Sequence, residues 1–209
     1  SSDRMRDMLN TLLDFFRLDN GKEQPKLLPC RISTITHTLE TEFMPVAMNK
    51  GLSLTVKNGN DAVVLTDKER IIQIGNNLLS NAIKFTEKGG VSLTIDYTNG
   101  VLTLIFEDTG TGMTEDEQQR VFGAFERLSN AAAKDGFGLG LAIVHNIVAM
   151  LDGKIHLESE KEMQAVRDAA MRNDLQELDA LTHHLRSSWE ILRADQPLKV
   201  LYGVLHGKD

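Results

Sequence analysis

Two asparagines and a lysine recur at one helical spacing, and their side chains suit a phosphate and a hard cation. Asn77, Asn81 and Lys84 stand at i, i+4 and i+7, so on a helix all three project from one face. An asparagine amide offers a carbonyl oxygen, the ligand type that Mg²⁺ takes beside phosphates, and Lys84 adds a point charge for phosphate. A solvated helix face carrying two ordinary asparagines fits the same spacing. Further on, Asp108-Thr109-Gly110-Thr111-Gly112 puts a carboxylate at the end of an apolar strand, with glycines at i+2 and i+4. A carboxylate there can accept from an exocyclic amine, and glycines let the backbone pass close to a flat ring where a Cβ would clash. A tight turn with an Asx cap is the alternative. Last, Gly136-Phe137-Gly138-Leu139-Gly140-Leu141 opens a helix whose backbone N–H groups and dipole favour phosphate. This run does not follow a strand in a βαβ unit, so it is no dinucleotide fingerprint, and without Gly-Lys-Ser/Thr it is no P-loop. In this order and spacing the three motifs describe one nucleotide pocket.

The elements that must position these residues follow from periodicity. Residues 2–18 place Met5, Met8, Leu9, Leu12, Leu13 and Phe16 at helical spacing, with Asp3 available as a cap. Too few partners follow at once to bury that stripe, which predicts packing on a helix outside this chain. Asp19-Asn20-Gly21 ends the helix, and residues 22–29 read as a linker. A helix is expected over 32–49 with Ile35, Leu39, Phe43 and Val46 inward, then strands over 52–56 and, after an Asn-Gly turn, 63–65. Residues 67–85 form the strongest helix, with Ile71, Ile74, Leu78 and Ile83 on its apolar side. Strands over 91–97 and 101–107 flank Asn99-Gly100, a hairpin signal. Thr114-x-x-Glu117 opens a helix over 114–122 as a capping box. Residues 129–136 are small, polar and rich in breakers, and read as a mobile loop. A helix over 139–151, ended by Gly153, and a strand over 154–158 complete an α+β sandwich. From 161 to 206 the chain carries almost no strand signal and reads as two or three helices, broken near Asn173-Asp174 and at Pro197.

Composition sets the outer bounds. A chain of 209 residues that is 41% hydrophobic and 25% charged suits one or two globular domains with a real core. A net charge of −7 argues against a nucleic-acid surface, where a clustered basic stripe is expected. No apolar run approaches the roughly 20 residues that span a bilayer, and no signal-peptide pattern opens the chain. Cys30 is the one cysteine, so no intrachain disulfide can form, and its thiol reads as packing. These features predict a soluble protein of a reducing, cytoplasmic compartment.

Taken together, the motif residues resemble the ATP-binding domain of sensor histidine kinases, in the superfamily shared with gyrase, ninety-kilodalton heat-shock chaperones and mismatch-repair ATPases. The resemblance covers about 28–160. Residues 77–86 resemble the N box, 108–112 the G1 box and 136–141 the G2 box, while Phe122-Gly123-Ala124-Phe125-Glu126-Arg127 is similar to the F box leading into the ATP lid. The resemblance implies a two-layer α/β sandwich that binds ATP and Mg²⁺. It implies that Asn81 holds Mg²⁺ with Asn77 assisting, and that Lys84 and Arg127 meet phosphates. Asp108 would read the adenine amine. Gly110, Gly112, Gly136, Gly138 and Gly140, with Phe85 and Leu139, would line the pocket, and Asn77 and Lys84 would serve catalysis. ATPase branches of the superfamily carry a glutamate where Asn77 stands, and that carboxylate activates water as a general base. Asparagine cannot take a proton near neutral pH, so the pocket reads as one that holds ATP for phosphoryl transfer.

The string His-Glu-x-Arg-Thr-Pro, which carries the acceptor histidine in such kinases, is absent. Residues 5–21 resemble the second dimerisation helix and its exit, so the chain is expected to begin after the acceptor helix and to act in a homodimeric parent. His37, His145 and His156 read as ordinary helix and strand residues. The Gly-Ser-x-Phe segment expected after residue 159 is also missing. Residues 173–188 resemble the phospho-accepting helix of histidine-phosphotransfer domains, with His183 at the acceptor position and Arg186 at i+3 on the same face. A solvated His-His pair on an amphipathic helix is the alternative. The expected organisation is a dimerisation-helix remnant (1–20), a linker (21–29), an ATP-binding domain (30–160) and a phosphotransfer-like helical fragment (161–209). The functional expectation is the catalytic part of a hybrid sensor histidine kinase that serves a response-regulator receiver domain. The competing expectation is a phosphotransfer or docking module joined to a non-catalytic nucleotide domain.

Overall fold

The computed structural model describes residues 2–125, 138–155 and 157. Helix α1 (Ser2–Asp19) leads into strand β1 (Leu28–Arg31), helix α2 (Ile32–Asn49) and strands β2 (Ser53–Asn58) and β3 (Val63–Thr66). Helix α3 (Lys68–Phe85), strands β4 (Gly90–Thr98) and β5 (Val101–Asp108), and helices α4 (Glu115–Arg120) and α5 (Gly140–Met150) follow. Three strands form the main sheet in the order β2-β4-β5, with β2 parallel and β5 antiparallel to β4. A two-stranded antiparallel pair, β1 with β3, stands apart.

Alternation along the strands decides which face meets the helices. Val91, Leu93 and Ile95 of β4 and Leu102, Leu104 and Phe106 of β5 are buried, while their neighbours are only partly covered. Against that face lie the apolar stripes of α2, α3 and α5, giving a two-layer α+β sandwich. Ile71, Ile74, Leu78 and Leu79 of α3 are fully enclosed, as are Val144 and Ile147 of α5. Asn99 and Gly100 take φ values of 54° and 76°, the left-handed pair that a two-residue hairpin needs.

Local groups start α3 and α4, and a group distant in sequence starts α2. Asp67 caps α3, accepting from the Arg70 N–H at 3.2 Å and from the Lys26 N–H at 2.9 Å. Arg31 offers α2 no side-chain cap, and Asp61 from the β2–β3 loop supplies it by accepting from Ser33 N–H at 3.0 Å. That bond, followed by the nearby Arg31 guanidinium, holds the Asp61 carboxyl below its ordinary pKa. Thr114 and Glu117 form the expected capping box of α4.

Several expectations change. Asp3 lies inside the first turn of α1 instead of capping it. Of the predicted stripe, Met5, Met8, Leu9, Leu13 and Phe16 are exposed while Leu12 packs on the core beside Phe15 and Leu18, because α1 packs along α5. The stretch read as a linker ends in β1, and Glu23 and Lys26 within it are tied to the first turn of α3. Val46 is exposed: the buried seam of α2 runs through Ile35, Leu39, Phe43 and Ala47 in steps of four, which carries Val46 off it. The strand expected after Asn58-Gly59 forms as β3, and it pairs in a different sheet from β2. Helix α4 stops at Arg120. At the end of α5, Asp152 takes a left-handed φ of 53° and the Gly153 N–H donates to Val148 O at 2.8 Å. Residues 154, 155 and 157 carry no strand pairing, although Ile155 packs on the core. The predicted loop over 129–136, His156 and the helices predicted beyond 161 lie outside the described residues.

Candidate functional site

The last turn of α3, the segment after β5 and the first turn of α5 meet at one end of the sandwich. Asn77, Asn81 and Lys84 share one face of α3 and are partly buried, while Leu78, Ala82 and Ile83 turn into the core. A Cβ placed on Gly140 would lie 3.7 Å from Asn77 Oδ1, so the first and third motifs touch. A Cβ placed on Gly110 would lie 2.7 Å from Asp108 Oδ1, 3.0 Å from Phe85 O and 3.2 Å from Thr86 Oγ1. That approach joins the second motif to the end of α3, and only glycine admits it. The Lys84 ammonium sits 5.2 Å from the centroid of the Phe85 ring, a cation–π distance.

Asp108 is the most informative charge. Its residue surface is open, but its carboxyl lies among enough protein atoms that lost hydration pushes its pKa above the ordinary 3.8. The Gly110 N–H, donating at 2.8 Å, and the nearby Thr86 hydroxyl oppose that rise. Thr86 Oγ1 is buried and makes no full hydrogen bond. Thr109 pins the same segment to the turn before β4, donating to Lys88 O at 2.8 Å and accepting from Gly90 N–H at 3.1 Å.

Gly112 and Gly138 take left-handed φ values of 69° and 71°. Phe125, unusually for a phenylalanine, takes φ 63°; its N–H donates to Gly138 O at 2.8 Å, and its ring packs edge-on to Phe15 with centroids 6.5 Å apart. Phe122 lies 6.1 Å from the exposed His145 ring. His37 is exposed on α2. Cys30 is buried, which raises its thiol pKa. Arg127, Gly136 and His183 lie outside the described residues. Thr86 and Thr109 fall inside the motif stretches 77–86 and 108–112 but received no role, because a threonine at an element end has no spacing that states its chemistry.

Residues 66–170 match the family of histidine kinase-, DNA gyrase B- and HSP90-like ATPases. The chain belongs to this family. The matched span contains all three motifs and the α3 cap, so family membership and the geometry above rest on the same residues. Among curated relatives, the autoinducer 2 sensor kinase/phosphatase LuxQ of Vibrio parahaemolyticus is 36% identical over 171 residues, covering 77% of this chain and 20% of its own. The sensor histidine kinase RcsC of Escherichia coli is 32% identical over 169 residues, covering 78% and 18%. The chain therefore spans about a fifth of these relatives' length. The full-length crystal structure of ShkA in complex with AMPPNP superposes with a TM-score of 0.66 at 33% identity, over 73% of this chain and 32% of that one. Within the histidine kinase-, gyrase- and HSP90-like family, this chain is homologous to the catalytic domains of sensor kinases.

Proposed function

We propose that this chain binds ATP with Mg²⁺ and presents the γ-phosphoryl for transfer to a histidine, as the catalytic part of a hybrid sensor histidine kinase in a cytoplasmic phosphorelay. The observation that carries the reading is the convergence of Asn77 with Gly140 and of Gly110 with Phe85, Thr86 and Asp108 at one end of the sandwich. The base end is the Asp108 carboxylate with the Thr86 hydroxyl, a buried group lacking a full partner, which fits a ring bearing donors and acceptors. The cation end suits Mg²⁺, which asks for few protein oxygens when phosphates and waters complete its shell. Asn81 and Asn77 offer amide oxygens, and among the described residues no cluster of three or more His, Cys, Asp or Glu competes for a metal. Lys84, Arg127 and the backbone of Gly136, Gly138, Leu139 and Gly140 serve the phosphates, with Gly112 and Phe85 shaping the pocket. When bound, Mg²⁺ neutralises charge on the β- and γ-phosphate oxygens.

Asn77 has no basic atom for activating water, so the residues present favour donation over hydrolysis. The exposed stripe of α1 suits the acceptor-bearing helix of the parent dimer, and His183 suits a receiver domain as phosphate acceptor in the fragment 161–209. The domain limits at 20, 29 and 160 belong to the same proposal. No helix among the described residues is long and apolar enough to cross a membrane. Calorimetry with a non-hydrolysable ATP analogue and Mg²⁺ tests the core of the reading. Asn81→Ala and Asp108→Ala should each weaken binding by about tenfold or more, the scale of one charge-assisted contact. Wild-type binding that ignores Mg²⁺, or variants that bind as wild type, would overturn it.

A further inference from the structure

The Lys50 ammonium donates to Ile83 O at 2.7 Å and to Lys84 O at 2.9 Å, across thirty-odd residues of sequence, with Glu87 3.8 Å away. These two carbonyls belong to the last turn of α3, where intrahelical donors run out; Ala82 O is already taken by Thr86 N–H at 3.0 Å. A cation at a helix C-terminus also meets the negative end of its dipole. Lys50 is aimed there by how α2 ends. Gly51 takes φ 75°, its N–H donates to Met48 O at 2.9 Å, and the Leu52 N–H donates to Ala47 O at 3.0 Å. This is a Schellman closure, which stops the helix and fixes the residue before the glycine.

We infer that Lys50 is a positioning residue for the nucleotide site, setting the path of Lys84, Phe85 and Thr86 against the Asp108–Gly110 turn. It touches neither base nor phosphate. Its effect runs through the Phe85 carbonyl and Thr86 hydroxyl, which would lie 3.0 Å and 3.2 Å from a Cβ placed on Gly110. The inference rests on the ATP-binding reading above.

The test compares Lys50→Met, which keeps the aliphatic stem and removes the ammonium, with Lys50→Arg, which restores donors. Val64→Ala serves as a control that loosens the β1–β3 core away from α3's end. Affinity for the Mg²⁺-loaded ATP analogue is measured on the full chain well below each variant's melting point. Lys50→Met should weaken binding about tenfold, Lys50→Arg should recover most of that loss, and Val64→Ala should leave affinity within about threefold. Equal weakening by Lys50→Met and Val64→Ala, no weakening by Lys50→Met, or failure of Lys50→Arg to recover would each overturn the inference. If Lys50→Met does not fold, the Arg variant and Lys50→Gln carry the same comparison. Should wild type bind no nucleotide, the ATP reading fails and this inference with it; should wild type bind while Lys50→Met binds equally well, only this inference falls.

Discussion

Asp108 shows how one residue's surroundings set its chemistry. Its carboxyl loses hydration, which favours the neutral acid, while the Gly110 N–H and the Thr86 hydroxyl favour the charged form and lose the contest. The carboxylate accepts a hydrogen bond from a base's amine more strongly than the neutral acid or an amide carbonyl does. Affinity for an adenine nucleoside should therefore fall as pH drops through the raised pKa, at a pH above the ordinary 3.8. Titrating adenosine binding avoids the ionisation of phosphates, and Asp108→Asn, which keeps a carbonyl acceptor, should flatten the profile. A wild-type profile identical to that of Asp108→Asn would contradict the assignment. The sign for stability is opposite. A raised folded-state value means the folded chain holds that proton more tightly, so this contribution is present at acid pH and lost as pH rises through it. Solvent access to the residue keeps that contribution small.

Among the elements, α3 carries the densest set of duties, and it crosses α2 at close range. Gly75 lets Leu39 approach so closely that a Cβ there would fall 2.5 Å from Leu39 Cδ1. Replacing glycine by alanine inside a helix ordinarily gains up to about 1 kcal/mol. Overpacking a closed core costs about 1–3 kcal/mol, and Leu39 is fully buried. The clash should win, so Gly75→Ala is expected to lower unfolding stability by about 1 kcal/mol in urea titrations. A more stable Gly75→Ala would show that Leu39 can repack. The capping box of α4 and the Asn99-Gly100 hairpin were legible in the sequence, because each is a local pattern with a fixed offset. The Asp61 cap of α2 was not, because its partner arrives from twenty-eight residues away.

At the scale of the whole molecule, α1 is part of the fold on one face and unpartnered on another. Phe15 and Leu18 join the core, and Asp14 is held by the Arg70 guanidinium at 3.2 Å and by the Gln73 amide. Arg70 also reaches Glu23 at 3.9 Å, so α1, the segment after it and α3 share one polar cluster. If α1 is integral, Leu18→Ala should cost about 2–4 kcal/mol in the cooperative unfolding transition. A change within about 0.5 kcal/mol, the range for exposed sites, would mean that α1 moves free of the sandwich. Met5, Met8, Leu9, Leu13 and Phe16 lie exposed on the other face of α1.

The sequence by itself determined the α+β class, the order of the motifs and the helices and hairpin that carry them, since periodicity and turn chemistry act over a few residues. It also singled out Asn77, Asn81, Lys84, Asp108 and the glycines, whose types state their chemistry. Only the tertiary structure decided which of these meet: Asn77 with Gly140, and Gly110 with the end of α3. It alone placed β1 and β3 in a separate pair, turned Phe15 and Leu18 inward, and brought Lys50 to the carbonyls of Ile83 and Lys84. Such contacts join residues distant along the chain. Packing selects them from many sterically possible pairings, and no short window of sequence records that choice.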